Sequence, residues 1–183
     1  MLSCEVISFS KERKVPLMNS IYHRISVRKY QDRPVEPEKI QEILRAGMQA
    51  PSAGDQQPWE FYVVTNKEIL AALGSRDVSP YAGMTANAPA AIVIAKRMDC
   101  DMPDYADIDC SICTENMWLM CDSLGLGGVM LGIAPLENRM RKVEKILNMP
   151  ENLQAFAIFP FGYPAEDRPQ RNRFKEDRIH YVK

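Results

Sequence analysis

Apolar residues recur along the chain in two patterns, one typical of helices and one typical of buried strands. After Pro37, four small or apolar side chains at helical spacing predict a helix that ends before Pro51. These four are Ile40, Ile43, Leu44 and Gly47. Continuous apolar runs predict strands at residues 90–95 and 155–161. Further strands are predicted at 61–65 and, in a glycine-rich stretch, at 127–133.

The remaining helices follow from the same helical spacing. They are predicted over residues 20–24, 68–73 and 105–124, with another opening at Pro135. Helices and strands mix without the strict alternation of a doubly wound sheet, so the pattern favours a single α+β layered domain from residue 18 onward. Residues 1–17 have no clear period and are predicted to form a flexible extension.

Composition and charge narrow the class of protein. A formal net charge of −1 gives no general attraction to nucleic acid or to an acidic membrane. No apolar run approaches the roughly 20 residues that a membrane-spanning helix needs, and the basic residues of the first segment follow its short apolar patch rather than precede it. We therefore expect a cytoplasmic protein without a membrane or nucleic-acid partner.

Five cysteines include a C-x-x-C pair, Cys110 and Cys113, within the predicted helix 105–124. A redox pair or half of a zinc site is one interpretation. Packing of small side chains on a helix face is favoured, because reactive pairs normally lie at a helix start and the chain has only two histidines. No metal site is predicted.

Two basic clusters are candidates for binding a phosphate. Arg24, Ser26 and Arg28 alternate along an extended stretch and would project to one side, presenting two guanidinium groups and a hydroxyl. The tail adds Arg171 and Arg173. Taken alone, the first cluster is also consistent with a solvated polar face on an edge strand.

Two further segments are poor in bulky side chains. Prolines bracket the loop 51–59, where a stiff backbone can approach a planar ligand, although an ordinary helix-to-strand connection with Trp59 in the core fits as well. The glycine-rich stretch 124–132 follows a helix and enters a strand. A dinucleotide-binding fingerprint needs the opposite order, so that interpretation is rejected.

Four motifs in this order resemble the FMN-dependent nitroreductase family, from about Ile21 to the end of the chain. They are R-x-S-x-R-x-Y; A-P-S-A-x-x-x-Q-P-W; Glu115-Asn116-Met117 leading to L-G-L-G-G; and G-Y-P-A followed by R-F and I-H-Y. The resemblance implies a layered fold with a mixed, mostly antiparallel sheet flanked by helices. It also implies a homodimer with shared FMN sites. Apolar side chains almost all round the predicted helix 105–124 fit a helix that is buried on more than one side.

The resemblance also assigns roles to single residues. Arg24, Ser26 and Arg173 match positions that hold the FMN phosphate, and Arg28 matches a basic position near the pyrimidine edge of the flavin. Ile25 and Arg171 lie within the same two clusters and are counted with the cofactor-binding residues.

A second set of matching residues concerns the flavin ring. Pro51, Ser52 and Ala53 match a loop that meets the flavin from the neighbouring subunit, and Gly132 and Ile133 match a stretch whose N–H groups face flavin N5. Where the family usually has asparagine, this chain has Asp55, whose carboxylate would repel a reduced flavin unless it is paired or turned away.

The implied activity is transfer of hydride from NADH or NADPH through FMN to a nitroaromatic, a quinone or a similar small acceptor, in a ping-pong sequence. No protein side chain is predicted to be catalytic, since the cofactor carries the redox step. Two alternatives stay open: a protein that stores or senses flavin, and an FMN enzyme of narrow role such as a dehalogenase or a flavin-degrading enzyme. Residues 74–88 and 97–105 are predicted to shape substrate access.

Overall fold

The computed structural model describes residues 17–166, 169–170 and 172–183. Its helices are α1 (Leu17–His23), α2 (Pro37–Met48), α3 (Lys67–Leu73), α4 (Gly83–Ala86), α5 (Ala106–Ser123) and α6 (Glu137–Leu147). Its strands are β1 (Trp59–Val64), β2 (Ala90–Arg97), β3 (Gly127–Gly128), β4 (Leu131–Gly132) and β5 (Leu153–Gly162). Of the predicted extension 1–17, only Leu17 is described, and it opens α1.

The five strands form one sheet in the order β1-β2-β5-β3, with β4 also paired to β5. All of these strand pairs are antiparallel. An isolated parallel bridge joins Ser26 to Gly128. The prediction of a mixed, mostly antiparallel sheet flanked by helices is confirmed.

Helices cover both faces of the sheet because residues in β2 alternate between two buried layers. Ile92 and Ile94 pack with α2 and α5, whereas Ala91 and Val93 pack with α3 and α6. Trp59 is buried in the first of these clusters, as expected. Both clusters are apolar, and the sheet lies between them as the middle layer of a three-layer domain.

The predicted strand 127–133 is wrong as a single element, because its pairing with β5 is interrupted opposite Pro160. Gly128 lies opposite Phe161 and Leu131 lies opposite Ile158, so the register is unchanged across the break. Val129 N–H donates to the Pro160 carbonyl oxygen at 3.2 Å. Proline has no N–H with which to return that bond, and the ladder therefore divides into β3 and β4.

The apolar surface of α5 is not buried all round. Its second half is packed against the sheet, with Met117 and Cys121 fully buried. Its first half leaves Ile108 55% exposed and Ile112 38% exposed. Among the described residues, no helix is both long and apolar enough to span a membrane.

Candidate functional site

The first basic cluster and the tail meet at one cavity of about 810 Å³, which we call the cation cavity. Of the predicted site residues, it is lined by Arg24, Ile25, Ser26, Arg28 and Arg173. The remaining lining residues are Ile21, Tyr22, Pro169, Gln170, Asn172 and Phe174. Three guanidinium groups and a hydroxyl therefore face one space, which is a donor set suited to a phosphate group.

The cluster lies here because α1 ends at His23 and the chain then runs extended beside β3. Val27 N–H donates to the Gly128 carbonyl oxygen at 3.0 Å, and Val27 is buried. Since side chains alternate along an extended chain, burial of Val27 turns Ser26 and Arg28 towards the cavity.

Helix α1 is fixed to the end of α5 by a hydrogen-bonded contact between His23 and Asp122. His23 Nδ1 lies 2.9 Å and 3.0 Å from the two carboxylate oxygens of Asp122, which is buried. Because His23 directly precedes Arg24, this contact holds the start of the segment 24–28. No helical spacing in the sequence links these two distant residues.

Arg24 is the most enclosed guanidinium of the cavity. Its Cζ lies over the Trp118 ring, 3.9 Å from the ring centroid. Its Nε is 3.3 Å from Glu115 Oε1, but the contact lacks hydrogen-bond geometry and Nε is buried without a hydrogen-bond partner among the described residues. The Trp118 contact holds the guanidinium in place, and its Nη groups, which are not buried, are the donors that can reach a ligand.

The loop at residues 51–57, called here the 51–57 loop, is held by a buried carboxylate of α5. Asp109 Oδ1 accepts from the Ala53 N–H at 3.0 Å, and Asp109 Oδ2 accepts from Gln56 Nε2 at 2.7 Å. Within the loop, Ser52 Oγ accepts from the Gln57 N–H at 3.0 Å. Asp109 was not predicted as part of the site, because the sequence shows it only as one of two aspartates in the first turn of α5.

Asp55 is paired inside the same loop. Its Oδ1 accepts from Gln57 Nε2 at 2.9 Å, and its φ of 56° lies in the left-handed region. Asparagine and aspartate tolerate that conformation better than most residues, so the turn accepts either.

Gly132 and Ile133 differ in how accessible their backbone is to a ligand. Ile133 N–H donates to the Phe156 carbonyl oxygen at 3.0 Å, so this group is already engaged, and the Ile133 side chain is fully buried. Gly132 is exposed, and a Cβ built on it would have only the Ala134 carbonyl oxygen, at 3.9 Å, within 4 Å. A planar ligand could therefore approach the backbone at Gly132.

A single chain brings together only part of the predicted site. Among the described residues, the lining of the cation cavity includes none of the loop and strand residues assigned to the flavin ring. Those residues are Pro51, Ser52, Ala53, Gly132 and Ile133. Arg171 lies outside the described residues.

Cys110 and Cys113 are both buried in α5. Burial raises the pKa of the Cys113 thiol to about 12 and raises that of Cys110 as well. A thiol with so high a pKa stays protonated near neutral pH, which makes it a poor nucleophile. This favours the packing interpretation over a redox pair.

Comparison with known proteins identifies the family. The model of the Nitroreductase family matches residues 21–80 and 76–163. A relative from Methanothermobacter thermautotrophicus is 42% identical over 94% of this chain and 90% of its own, and carries the provisional name NADH dehydrogenase/NAD(P)H nitroreductase. The structure of an FMN-dependent nitroreductase from Clostridium difficile is 28% identical, with a TM-score of 0.84, covering 91% of this chain and 99% of its own. An iodotyrosine deiodinase from Haliscomenobacter hydrossis is 28% identical over 79% of this chain and 77% of its own.

Proposed function

The chain belongs to the Nitroreductase family. We propose that it binds FMN with the FMN phosphate in the cation cavity, oxidises NADH or NADPH, and passes the electrons to a small acceptor. The names of its relatives support the cofactor and the nicotinamide donor. The observation that carries the assignment is the convergence of Arg24, Ser26, Arg28 and Arg173 on one cavity.

The cavity fits a phosphate monoester in charge and in donors. A phosphate near neutral pH carries between one and two negative charges and offers several acceptor oxygens. Arg24 and Arg173 supply two positive charges, and the Ser26 hydroxyl adds a donor. Charge-assisted hydrogen bonds of this kind are the strong ones, and the stacked Arg24 loses little side-chain freedom in making them.

The protein supplies position and charge, and FMN, when bound, supplies the hydride chemistry. Arg28 places a cation beside the ligand, which stabilises negative charge that develops on the flavin ring system. The open backbone at Gly132 leaves room for a ring to lie close. We propose that donor and acceptor use this open side in turn, so that the oxidised nicotinamide leaves before the acceptor enters, and that the acceptor is a nitroaromatic, a quinone or a similar molecule.

We propose that the active form is a homodimer in which each site uses both chains. Pro51, Ser52 and Ala53 do not line the cavity of their own chain, and the first half of α5 leaves Ile108 and Ile112 exposed. A second copy that covers this apolar stripe can bring its 51–57 loop to the ligand. Mixed dimers test this: one chain carries Arg24→Ala and the other Ser52→Trp. Activity restored in the mixed dimer supports shared sites, whereas failure of rescue rejects them.

The proposed reaction is tested by the absorption spectrum of the purified protein under nitrogen. A yellow protein that releases FMN on denaturation, and whose visible absorbance is lost on adding NADH or NADPH and regained on adding a quinone, is the expected result. Bound FMN that NADH and NADPH fail to reduce would indicate flavin storage or sensing instead. Recovery of FAD, or no uptake of FMN, would contradict the assignment.

Reductive dehalogenation is a second candidate, and the similarity to an iodotyrosine deiodinase favours it. Iodide release from iodotyrosine by the reduced protein would support it. Fast reduction of quinones without any iodide release would leave the first proposal as the better one.

A further inference from the structure

The Gln56 side chain joins three segments of the chain. Its Nε2 donates to Asp109 Oδ2 at 2.7 Å and to the Met102 carbonyl oxygen at 3.1 Å. Its Oε1 accepts from the Met102 N–H at 2.8 Å. A primary amide has two N–H donors and one carbonyl, and here each of them has a different role. Among neutral side chains, only asparagine carries the same amide, and its side chain is one methylene shorter.

The carboxylate that Gln56 contacts also holds the 51–57 loop. Asp109 is only 3% exposed, and its other oxygen accepts from the Ala53 N–H at 3.0 Å. One buried group on α5 thus fixes both the loop backbone and the Gln56 amide. Displacing Gln56 would leave a buried carboxylate oxygen without this partner, which is costly.

Residues 98–105 contact the 51–57 loop through the Met102 side chain as well as through the Met102 backbone. Gly54 has a φ of 57°, and a Cβ built there would lie 3.1 Å from Met102 Cε. From the other side, Arg97 Nη2 donates to the Gln56 carbonyl oxygen at 3.0 Å. The position of Met102 is therefore coupled to the conformation of the loop.

We propose that Gln56 is a positioning residue that fixes residues 98–105 beside Pro51–Ala53 and thereby sets the size of the acceptor that reaches the flavin. This rests on the proposed function, in which Pro51, Ser52 and Ala53 face the flavin. The segment exposes Met98, Met102 and Tyr105 together with three aspartates, and Met102 Cε reaches the loop at Gly54. Gln56 is predicted to act on acceptor binding through Met102, without touching the phosphate.

The physical part of this inference is tested by hydrogen exchange on the intact protein. Gln56→Ala should increase deuterium uptake in a peptide covering residues 98–105, because the Met102 N–H loses its acceptor. Gln41→Ala, which changes an exposed glutamine on α2, is the matched control and should leave that uptake unchanged. Equal uptake in wild type and Gln56→Ala would overturn the inference.

The functional part is tested by comparing a compact benzoquinone with a bulky naphthoquinone in steady-state assays of the FMN-loaded protein. Gln56→Ala should change the ratio of kcat/KM for the two acceptors by about fivefold, mainly through KM, as expected for loss of one or two neutral hydrogen bonds. The Kd for FMN should stay within about twofold of wild type, since Gln56 does not line the cation cavity.

Gln56→Glu separates hydrogen bonding from packing. It keeps the shape and the acceptor for Met102 N–H, but places a second carboxylate where Nε2 lies 2.7 Å from Asp109 Oδ2. Its effect on acceptor selectivity should equal or exceed that of Gln56→Ala. Wild-type acceptor selectivity in Gln56→Glu would overturn the inference about Gln56 and leave the proposed function standing. A wild-type protein that binds no flavin would overturn the proposed function, and the acceptor role of Gln56 with it, whatever the exchange data show.

Discussion

The cation cavity and the 51–57 loop are both rich in hydrogen-bonding groups. The loop groups are hydrogen-bonded within the protein, whereas donors in the cavity are left open. In the cavity, Arg24 lies over Trp118, and its Nη groups are not buried and make no hydrogen bond to another described residue. In the loop, Gln56 and Asp109 bond to each other, and each also bonds to backbone groups. Donors that the protein leaves open are available to a ligand, whereas donors already used inside the protein give a fixed shape.

This difference predicts two kinds of variant. Changes in the cavity should weaken ligand binding with little effect on folding. Changes in the loop network should reduce stability or alter geometry, because they leave a buried polar group unpaired.

The largest effect is expected for Arg24→Ala. A hydrogen bond to a charged group contributes roughly 1.5–3 kcal/mol, so the Kd for FMN should rise about tenfold or more. Isothermal titration of the apo-protein measures this. Arg141→Ala, which removes an arginine whose side chain is 77% exposed on α6, is the control and should bind as wild type does. Equal FMN affinity in Arg24→Ala and wild type would remove the basis of the assignment.

A comparable effect, but on stability, is expected for Asp109→Ala. The variant deprives the Ala53 N–H and the Gln56 amide of their acceptor, and the free energy of unfolding should fall by about 1–3 kcal/mol. Urea denaturation followed by circular dichroism gives the value. Asp32→Ala, at an exposed position, should change it little. If both variants unfold at the same urea concentration as wild type, the loop network does not stabilise the protein.

The smallest effect is expected for Glu115→Gln. Glu115 lies 3.3 Å from the Arg24 Nε, with its side chain 49% exposed, so it competes weakly for the same guanidinium. Exposed ion pairs contribute about 0–1 kcal/mol, and the variant should therefore bind FMN up to about fivefold more tightly. Weaker binding would instead show that Glu115 orients Arg24 for the ligand.

Local patterns in the sequence were sufficient for most elements of the fold. The helix after Pro37 and the buried strands at residues 90–95 and 155–161 all exist, because their apolar spacing matches the period of the structure that buries it. The prediction of a single strand at 127–133 is wrong because of its partner strand, β5. Pro160 interrupts the ladder, and a neighbour in the sheet cannot be read from the segment itself.

The candidate site was predictable in part for the same reason. Alternation placed Arg24, Ser26 and Arg28 on one side of an extended stretch, and the structure brings them together with Arg173. The contacts of His23 with Asp122 and of Gln56 with Asp109 join residues far apart in the chain. No period or local motif indicates such pairs, so only the folded chain reveals them.

The central claim is that the cation cavity binds the phosphate of FMN, and riboflavin, which lacks that phosphate, tests it most directly. Titrations of wild type and Arg24→Ala with both ligands give two selectivity ratios. We predict that wild type prefers FMN over riboflavin by about tenfold or more, and that Arg24→Ala loses most of this preference while binding riboflavin nearly unchanged. Equal weakening of both ligands by Arg24→Ala, or no preference in wild type, would contradict the account.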